Sequence, residues 1–253
     1  MVKVLMHGCN GRMGQMITHI IKEDERMEIA VGVDSFTGLN NSYPVYSDIL
    51  EVKESVDVII DFSNAGAVDS LLKYSVKNQI PLVLCTTGLS KEQLHQVGLD
   101  SEKVAILKSA NMSLGINLLL KLLHDATKVL APANYDIEIV EKHHNQKLDA
   151  PSGTALALAD EINEAADGKY HYVYDRSQVR QKRESKEIGI SAVRGGTIVG
   201  EHEVLFAGID EVIEFKHTAY SRSVFAKGAI EAAFFLANKS AGMYDMSDVI
   251  GGA

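Results

Sequence analysis

The apolar positions of this chain follow two different rhythms, one over the first hundred residues or so and another after Ser113. Residues 2–7 form a dense apolar run, 8–14 is a glycine-rich turn, and within 15–22 the side chains Met16, Ile17, Ile20 and Ile21 recur at helical spacing. That order predicts a buried strand, a tight turn and an amphipathic helix. A second strand over 28–33 ends at Asp34 and closes a βαβ unit, whose crossover is right-handed by the general rule. The alternation continues through strand 56–62, helix 65–78, strand 80–85, a short helix at 91–97 and strand 104–108. The expected fold class is therefore α/β, a doubly wound parallel sheet of the Rossmann kind. Such sheets bind ligands beyond the carboxyl ends of their strands. Here those ends carry Gly8 to Gly14, Asp34, Asp61 to Ser63, Cys85 to Gly88 and Ser109 to Met112.

Ser113 reads as the N-cap of a long helix through Leu114, Leu118, Leu119, Leu122, Leu123 and Val129. A strand at 135–141, a helix at 152–166 and several longer strands between 188 and 219 follow, with turns at Gly195-Gly196 and Gly208. This is an α+β pattern rather than more βαβ units. Residues 224–238 return to helical spacing and are expected to pack back on the first domain, and the tail 251–253 is expected to fray.

Composition narrows the partners. With 253 residues, 46% of them hydrophobic, the chain can bury a substantial core in one large domain or two modest ones. A formal net charge of −9 gives no global attraction to nucleic acid or to an anionic membrane surface, so an anionic ligand needs a local basic pocket. The first eight residues are too short and too weakly charged for a signal peptide. No stretch approaches the ~20 apolar residues of a membrane span. The two cysteines, Cys9 and Cys85, make no disulfide scaffold, and a cytoplasmic location is the expectation.

Gly8, Gly11 and Gly14 are spaced GxxGxxG, a variant of the dinucleotide fingerprint, between a predicted strand and a predicted helix. Glycines let main chain approach a pyrophosphate, whose charge is met by backbone N–H groups and the positive end of the helix dipole. Asp34, twenty residues after Gly14, is placed to accept from an adenosine ribose. The plainer reading is a tight turn followed by a solvated aspartate, but the surrounding βαβ unit favours a nicotinamide dinucleotide. Arg12 in the turn suits a 2′-phosphate, or is simply an exposed turn residue, whereas Asp34 repels one, so NADH and NADPH both stay open.

The densest chemistry lies between Glu141 and Ala155, where His143, His144 and Lys147 precede the run Asp-Ala-Pro-Ser-Gly-Thr ending at Thr154. Pro151-Ser152 is a helix-start signal, so the amides of Gly153 and Thr154 and the Thr154 hydroxyl are placed to hold a carboxylate at the positive helix end. Lys147 adds the cation that the acidic chain otherwise lacks. Histidine exchanges protons near neutral pH, as a nicotinamide-dependent reductase needs when hydride adds to one atom and a proton must reach another. The bland alternative is a surface loop with one imidazole in a supporting role. No metal site is expected, because HExxH, CxxC and carboxylates at ligand spacing are all missing.

With its His-His pair, lysine and Asp-Ala-Pro-Ser-Gly-Thr run, the sequence resembles the dihydrodipicolinate reductase family. The likeness extends to the glycine turn, Asp61-Phe62-Ser63, Cys85-Thr86-Thr87-Gly88, Ala110-Asn111-Met112-Ser113, Arg194-Gly195-Gly196 and Gly200-Glu201-His202. The resemblance implies NADH- or NADPH-dependent reduction of 4-hydroxy-tetrahydrodipicolinate in lysine and diaminopimelate biosynthesis. It implies that His143 is the proton donor, that Lys147 donates a proton or binds substrate, and that His144, Gly153 and Thr154 contact substrate. It further implies that Gly8, Cys9, Asn10, Gly11, Arg12, Met13, Asp34, Cys85, Thr86, Thr87, Ser109, Ala110, Asn111 and Met112 line the cofactor. Residues 1–113 with 222–253 are then the dinucleotide-binding domain, and 114–221 the substrate-binding and oligomerisation domain of a homotetramer. Cys85 replaces a common glycine and Met112 a common phenylalanine; Met112 could equally be core packing.

Three rivals share part of this pattern. Another two-domain amino-acid or semialdehyde dehydrogenase would keep the first domain but not the His-His to Ser-Gly-Thr segment. A short-chain dehydrogenase would need Tyr-x-x-x-Lys, which is missing. A non-catalytic NAD(P)H sensor would have no use for a basic, carboxylate-ready pocket.

Overall fold

A computed structural model of the chain describes residues 1–251. In chain order the elements are β1 (Val2–His7), α1 (Arg12–Ile21), β2 (Met27–Val33), β3 (Val45–Tyr46), β4 (Val58–Asp61), α2 (Val68–Asn78), β5 (Leu82–Leu84), α3 (Lys91–Ser101), β6 (Ala105–Leu107) and α4 (Leu114–Leu130). Then come β7 (Asp136–His143), α5 (Gly153–Ala165), β8 (His171–Val173), β9 (Glu187–Arg194), β10 (Gly200–Ala207), β11 (Val212–Ala219), α6 (Ser223–Leu236), β12 (Gly242–Tyr244) and α7 (Met246–Gly251). They gather into two compact units, one built from Met1–Leu114 and resuming at Ser223, the other from Gly115–Arg222.

The first unit is the expected doubly wound sheet. Its seven strands run in the order β12-β6-β5-β4-β1-β2-β3, and every pairing is parallel. The central strands are apolar on both faces, with Val4, Leu5, Met6, Val58, Ile59 and Ile60 all at 0% exposure, as a sheet covered on two sides requires. Because β1 is flanked by β2 and β4, the chain reverses its direction of travel there, which opens a crevice at the carboxyl ends of β1 and β4.

The helix expected at 224–238 is α6, running from Ser223 to Leu236, and it contacts α1, β4, β5 and β6 of the same unit. Its buried face is made largely of small residues, Ala226, Gly228, Ala229, Ala232 and Ala233, so it lies close against its neighbours. A Cβ on Gly228 would stand 1.6 Å from the Met112 carbonyl oxygen. The edge strands β3 and β12, two and three residues long, were not anticipated; such short runs carry no readable period. Gly251 ends α7, and the rest of the tail expected to fray, 252–253, lies outside the described residues.

The second unit holds a five-stranded mixed sheet in the order β11-β10-β7-β9-β8, with β7 antiparallel to β10 and parallel to β9. Its core joins Ile116, Leu119 and Leu123 of α4 and Leu158 and Ile162 of α5 to Ile137, Ile139, Ile188, Ile190, Val204 and Phe206 of the strands. Among the described residues no helix is long and apolar enough to cross a membrane.

Candidate active site

In the first unit the glycine turn is as tight as its spacing suggests. Gly8 has φ +81°, where any side chain is strained, and a Cβ there would meet the Phe62 carbonyl oxygen at 2.6 Å. A Cβ on Gly14 would come within 2.2 Å of the Gly8 carbonyl oxygen. Gly11 is the N-cap of α1, and neither a capping side chain nor an acidic residue in the first turn competes for the helix amides. The positive end of the helix is thus presented bare to the crevice.

Asp34 is built into this turn rather than left in solvent. One of its oxygens accepts from the Asn10 amide at 2.9 Å, the other from the Phe36 amide at 3.0 Å. Asn41 donates to the Asn10 side chain at 2.8 Å and completes the brace. Gly8, Gly11, Asp34, Ser35 and Ser63 line a cavity of about 290 Å³. The concave, glycine-floored shape and the ribose-ready carboxylate fit a dinucleotide.

The other expected cofactor-lining positions differ in what they offer. Cys9 is 0% exposed, and its sulfur packs beside Gly32 and Tyr43, so its main chain rather than its thiol belongs to the turn. Met112 is 5% exposed within the apolar core, the alternative raised for it above. Thr86 is buried and Cys85 half-buried, and burial, then the nearby Asp61, pushes the Cys85 thiol well up. Arg12, Thr87 and Ala110 are exposed, and Asn10, Met13, Ser109 and Asn111 half-buried.

In the second unit the site grows out of strand alternation. Along β7 every second residue faces the core: Ile137, Ile139, then Glu141 and His143. The face that is apolar at one end of the strand becomes ionisable at the other. On β10, His202 stands directly opposite Glu141, and on β9 Arg194 stands beside His143. Three strands thus deliver their polar residues to one corner of the sheet.

Glu141 is 0% exposed and fully engaged. Arg194 donates to both of its oxygens, at 2.6 and 2.8 Å, the Ser152 amide to one at 3.0 Å, and His143 Nδ1 lies 2.6 Å from the other. Burial alone would raise this carboxyl, but the Arg194 fork, the His143 ring and the Ser152 amide outweigh it and hold the carboxyl below its ordinary value. Removing one partner of such a buried pair costs about 3–5 kcal/mol, because the other charge is left uncompensated.

Ser152 caps α5 as its sequence suggests, its hydroxyl accepting from the Ala155 amide at 3.1 Å. The same hydroxyl is 3.0 Å from His202 Nε2. The His202 ring packs edge-on against His143 at 5.2 Å. Burial, then the neighbouring His143, pushes His202 down to about 4, so it is neutral at physiological pH. Lys147 is half-buried and pairs with Asp149 at 2.8 Å, and its hydrogen bond is the main cause of the lowered Asp149 carboxyl. His144 is half-buried, and its carbonyl accepts from the Lys147 amide at 3.2 Å, which folds this segment into a turn. Gly153, exposed, and Thr154, half-buried, begin α5.

His143, Lys147, Gly153 and Thr154 therefore occupy one neighbourhood of the second unit, tied together through Glu141, Ser152 and Asp149. Glu141, Arg194 and His202 had no role assigned from sequence, although all three lie in motifs quoted above. The signal that could have found them is the period of two along β7 and β10, which puts an unpaired-looking glutamate on a core face. In the first unit the buried pair of His7 Nδ1 and Asp61 Oδ1, at 2.7 Å across β1 and β4, was likewise missed.

Comparison with known families settles which lineage this architecture comes from. The family "Dihydrodipicolinate reductase, N-terminus" matches residues 2–112, and "Dihydrodipicolinate reductase, C-terminus" matches residues 115–250. The chain belongs to the dihydrodipicolinate reductase family. The 4-hydroxy-tetrahydrodipicolinate reductase of Caldanaerobacter subterraneus subsp. tengcongensis is 52% identical over 99% of this chain and 98% of its own length. The protein of the same name from Clostridium novyi is 50% identical with the same coverage. Among solved structures, the dipicolinate-bound dihydrodipicolinate reductase from Paenisporosarcina sp. TG-14 superposes with a TM-score of 0.80 at 26% identity, covering 97% of each chain. The Corynebacterium glutamicum DAP dehydrogenase shares the fold alone, with a TM-score of 0.56 at 15% identity over 98% of this chain and 93% of its own.

Proposed function

We propose that this chain is a 4-hydroxy-tetrahydrodipicolinate reductase, an oxidoreductase that takes hydride from NADH or NADPH and delivers it to a cyclic dicarboxylate imine in lysine and diaminopimelate biosynthesis. The observation that carries this reading is the shared corner of the second unit, where His143, Lys147 and the start of α5 meet around Glu141. The Paenisporosarcina relative, bound to dipicolinate, is consistent with a site for a ring bearing two carboxylates.

The bound nicotinamide supplies the hydride. The bare α1 N-terminus and the Gly8 to Gly14 turn would hold the pyrophosphate of the bound nucleotide, and Asp34 would accept from its adenosine ribose. The amides of Gly153 and Thr154 meet one substrate carboxylate with the positive end of α5, while Lys147 and His144 meet substrate charge from the preceding turn. Gripping carboxylates remote from the reacting carbon positions the ring and excludes water. Loss of the 4-hydroxyl as water gives the conjugated C=C–C=N ring; with hydride from a bound nicotinamide added at the carbon end of that system, His143 would give a proton to the other end, and Lys147 is the second cation able to supply one.

The protein is further proposed to act in the cytoplasm as a homotetramer. Support comes from the second sheet: on the face opposite its helices, Val193 and Val212 are 44% and 53% exposed, as positions closed by assembly would be in a lone chain. Mutation tests the chemistry: His143→Ala and Lys147→Ala are each expected to lower turnover about 10²-fold or more. Near-wild-type turnover in both variants refutes the proton-transfer roles. Light scattering showing a monomer refutes the tetramer.

A further inference from the structure

We propose that Glu141 and Arg194 form a positioning pair that fixes which nitrogen of His143 exchanges the proton, and that holds the substrate-facing turn and helix in register with that ring. The inference rests on the proposed proton-donor role of His143 and assigns the atom that performs it.

The tautomer follows from counting donors. Glu141 receives both arms of the Arg194 guanidinium and the Ser152 amide, all of which can only donate, so the carboxyl is ionised and can only accept. His143 Nδ1, 2.6 Å from the same carboxylate, must therefore carry a hydrogen and donate it. The proton that comes and goes is the one on Nε2. Room for that nitrogen is left by Gly200, where a Cβ would stand 3.2 Å from it.

The pair also reaches the rest of the site. Arg194 donates to the Asp149 carbonyl at 2.7 Å, and Asp149 holds Lys147. Glu141 holds the Ser152 amide, next to the first residue of α5. One buried ion pair thus anchors the imidazole, the Lys147 turn and the helix start. The charged and titratable groups around His143 are Glu141 on its own strand, Arg194 on β9, His202 on β10, and the Lys147–Asp149 pair in the following turn. His202 is neutral at working pH, which leaves Glu141 as the anion in direct contact with the His143 ring.

The test is Glu141→Gln in the full-length protein, assayed with NADH and 4-hydroxy-tetrahydrodipicolinate across pH. The expected result is a fall in kcat of about 10²-fold with a raised KM for the imine, and an alkaline limb of the kcat profile displaced to lower pH. Retained kcat, or a fall in kcat with an unmoved limb, overturns the proposal, the second outcome marking a merely structural role. Should the single variant fail to fold, Glu141→Gln with Arg194→Met removes both charges of the ion pair together and carries the same expectations. The tautomer is read without turnover by long-range 15N–1H spectra of the neutral ring. A proton on Nδ1 of His143 is expected, and a proton on Nε2 overturns the inference. If His143→Gln stays fully active, the proton-donor reading itself fails, whatever the spectra show.

Discussion

Replacing His202 with glutamine should change how the stability of this protein depends on pH. In the folded chain His202 is buried against His143 and pushed from 6.5 down to about 4, so the native state refuses a proton that the unfolded chain accepts. The sign is fixed by that difference. Above about pH 7 neither state binds the proton and His202 costs nothing; as pH falls from 6.5 toward 4, only the unfolded state is stabilised. The gap corresponds to about 3 kcal/mol of stability lost over that window. Glutamine can keep a hydrogen bond to the Ser152 hydroxyl without titrating. Urea unfolding followed by far-ultraviolet circular dichroism at a series of pH values, on wild type and His202→Gln, measures the difference directly. The two stabilities should run parallel above pH 7 and converge or cross by about 3 kcal/mol between pH 6.5 and 4. Curves that stay parallel throughout would show that His202 takes up its proton in the folded state, and the account of a neutral ring beside His143 would be wrong.

Other outcomes follow from single contacts. Gly14→Ala drives a Cβ into the Gly8 carbonyl, and the strain of about 1–3 kcal/mol should appear as cofactor binding weakened at least several-fold in a fluorescence titration, with the second unit's melting unchanged. Asp34→Ala should raise KM for NADH more than for NADPH, since a carboxylate proposed to accept from a ribose would also repel a 2′-phosphate; an equal change in both contradicts its proposed ribose role. Phe206→Ala, at a fully buried position in the second core, should cost about 3–5 kcal/mol by urea denaturation.

The sequence was most legible where a local period sets the structure. Parallel strands buried on both faces read as apolar runs, and the strands at β9, β10 and β11 fall where Gly195-Gly196 and Gly208 punctuate the pattern. The β3 and β12 edges were illegible because two or three residues cannot display a period. At the site, the turn around Gly8 and the cap at Ser152 could be read because each is a backbone requirement with a residue signature. Glu141 could not, because its importance comes from β9 and β10 lying on either side of β7, and strand order is a property of the fold. Once that order is known, the alternation Ile137, Ile139, Glu141, His143 explains the position of the proposed proton donor in one step. Met112 was open to two readings, cofactor lining or core packing, and its side chain, 5% exposed, packs with residues of α6 in the core.

Reduction of a dicarboxylate imine by the bound nucleotide can be measured directly. Oxidation of NADH and of NADPH is followed by absorbance, with and without the condensation product of pyruvate and aspartate semialdehyde. Oxidation that requires both nucleotide and imine, and that His143→Ala reduces about 10²-fold, is the predicted result. Nucleotide binding with no oxidation when the imine is present would contradict it.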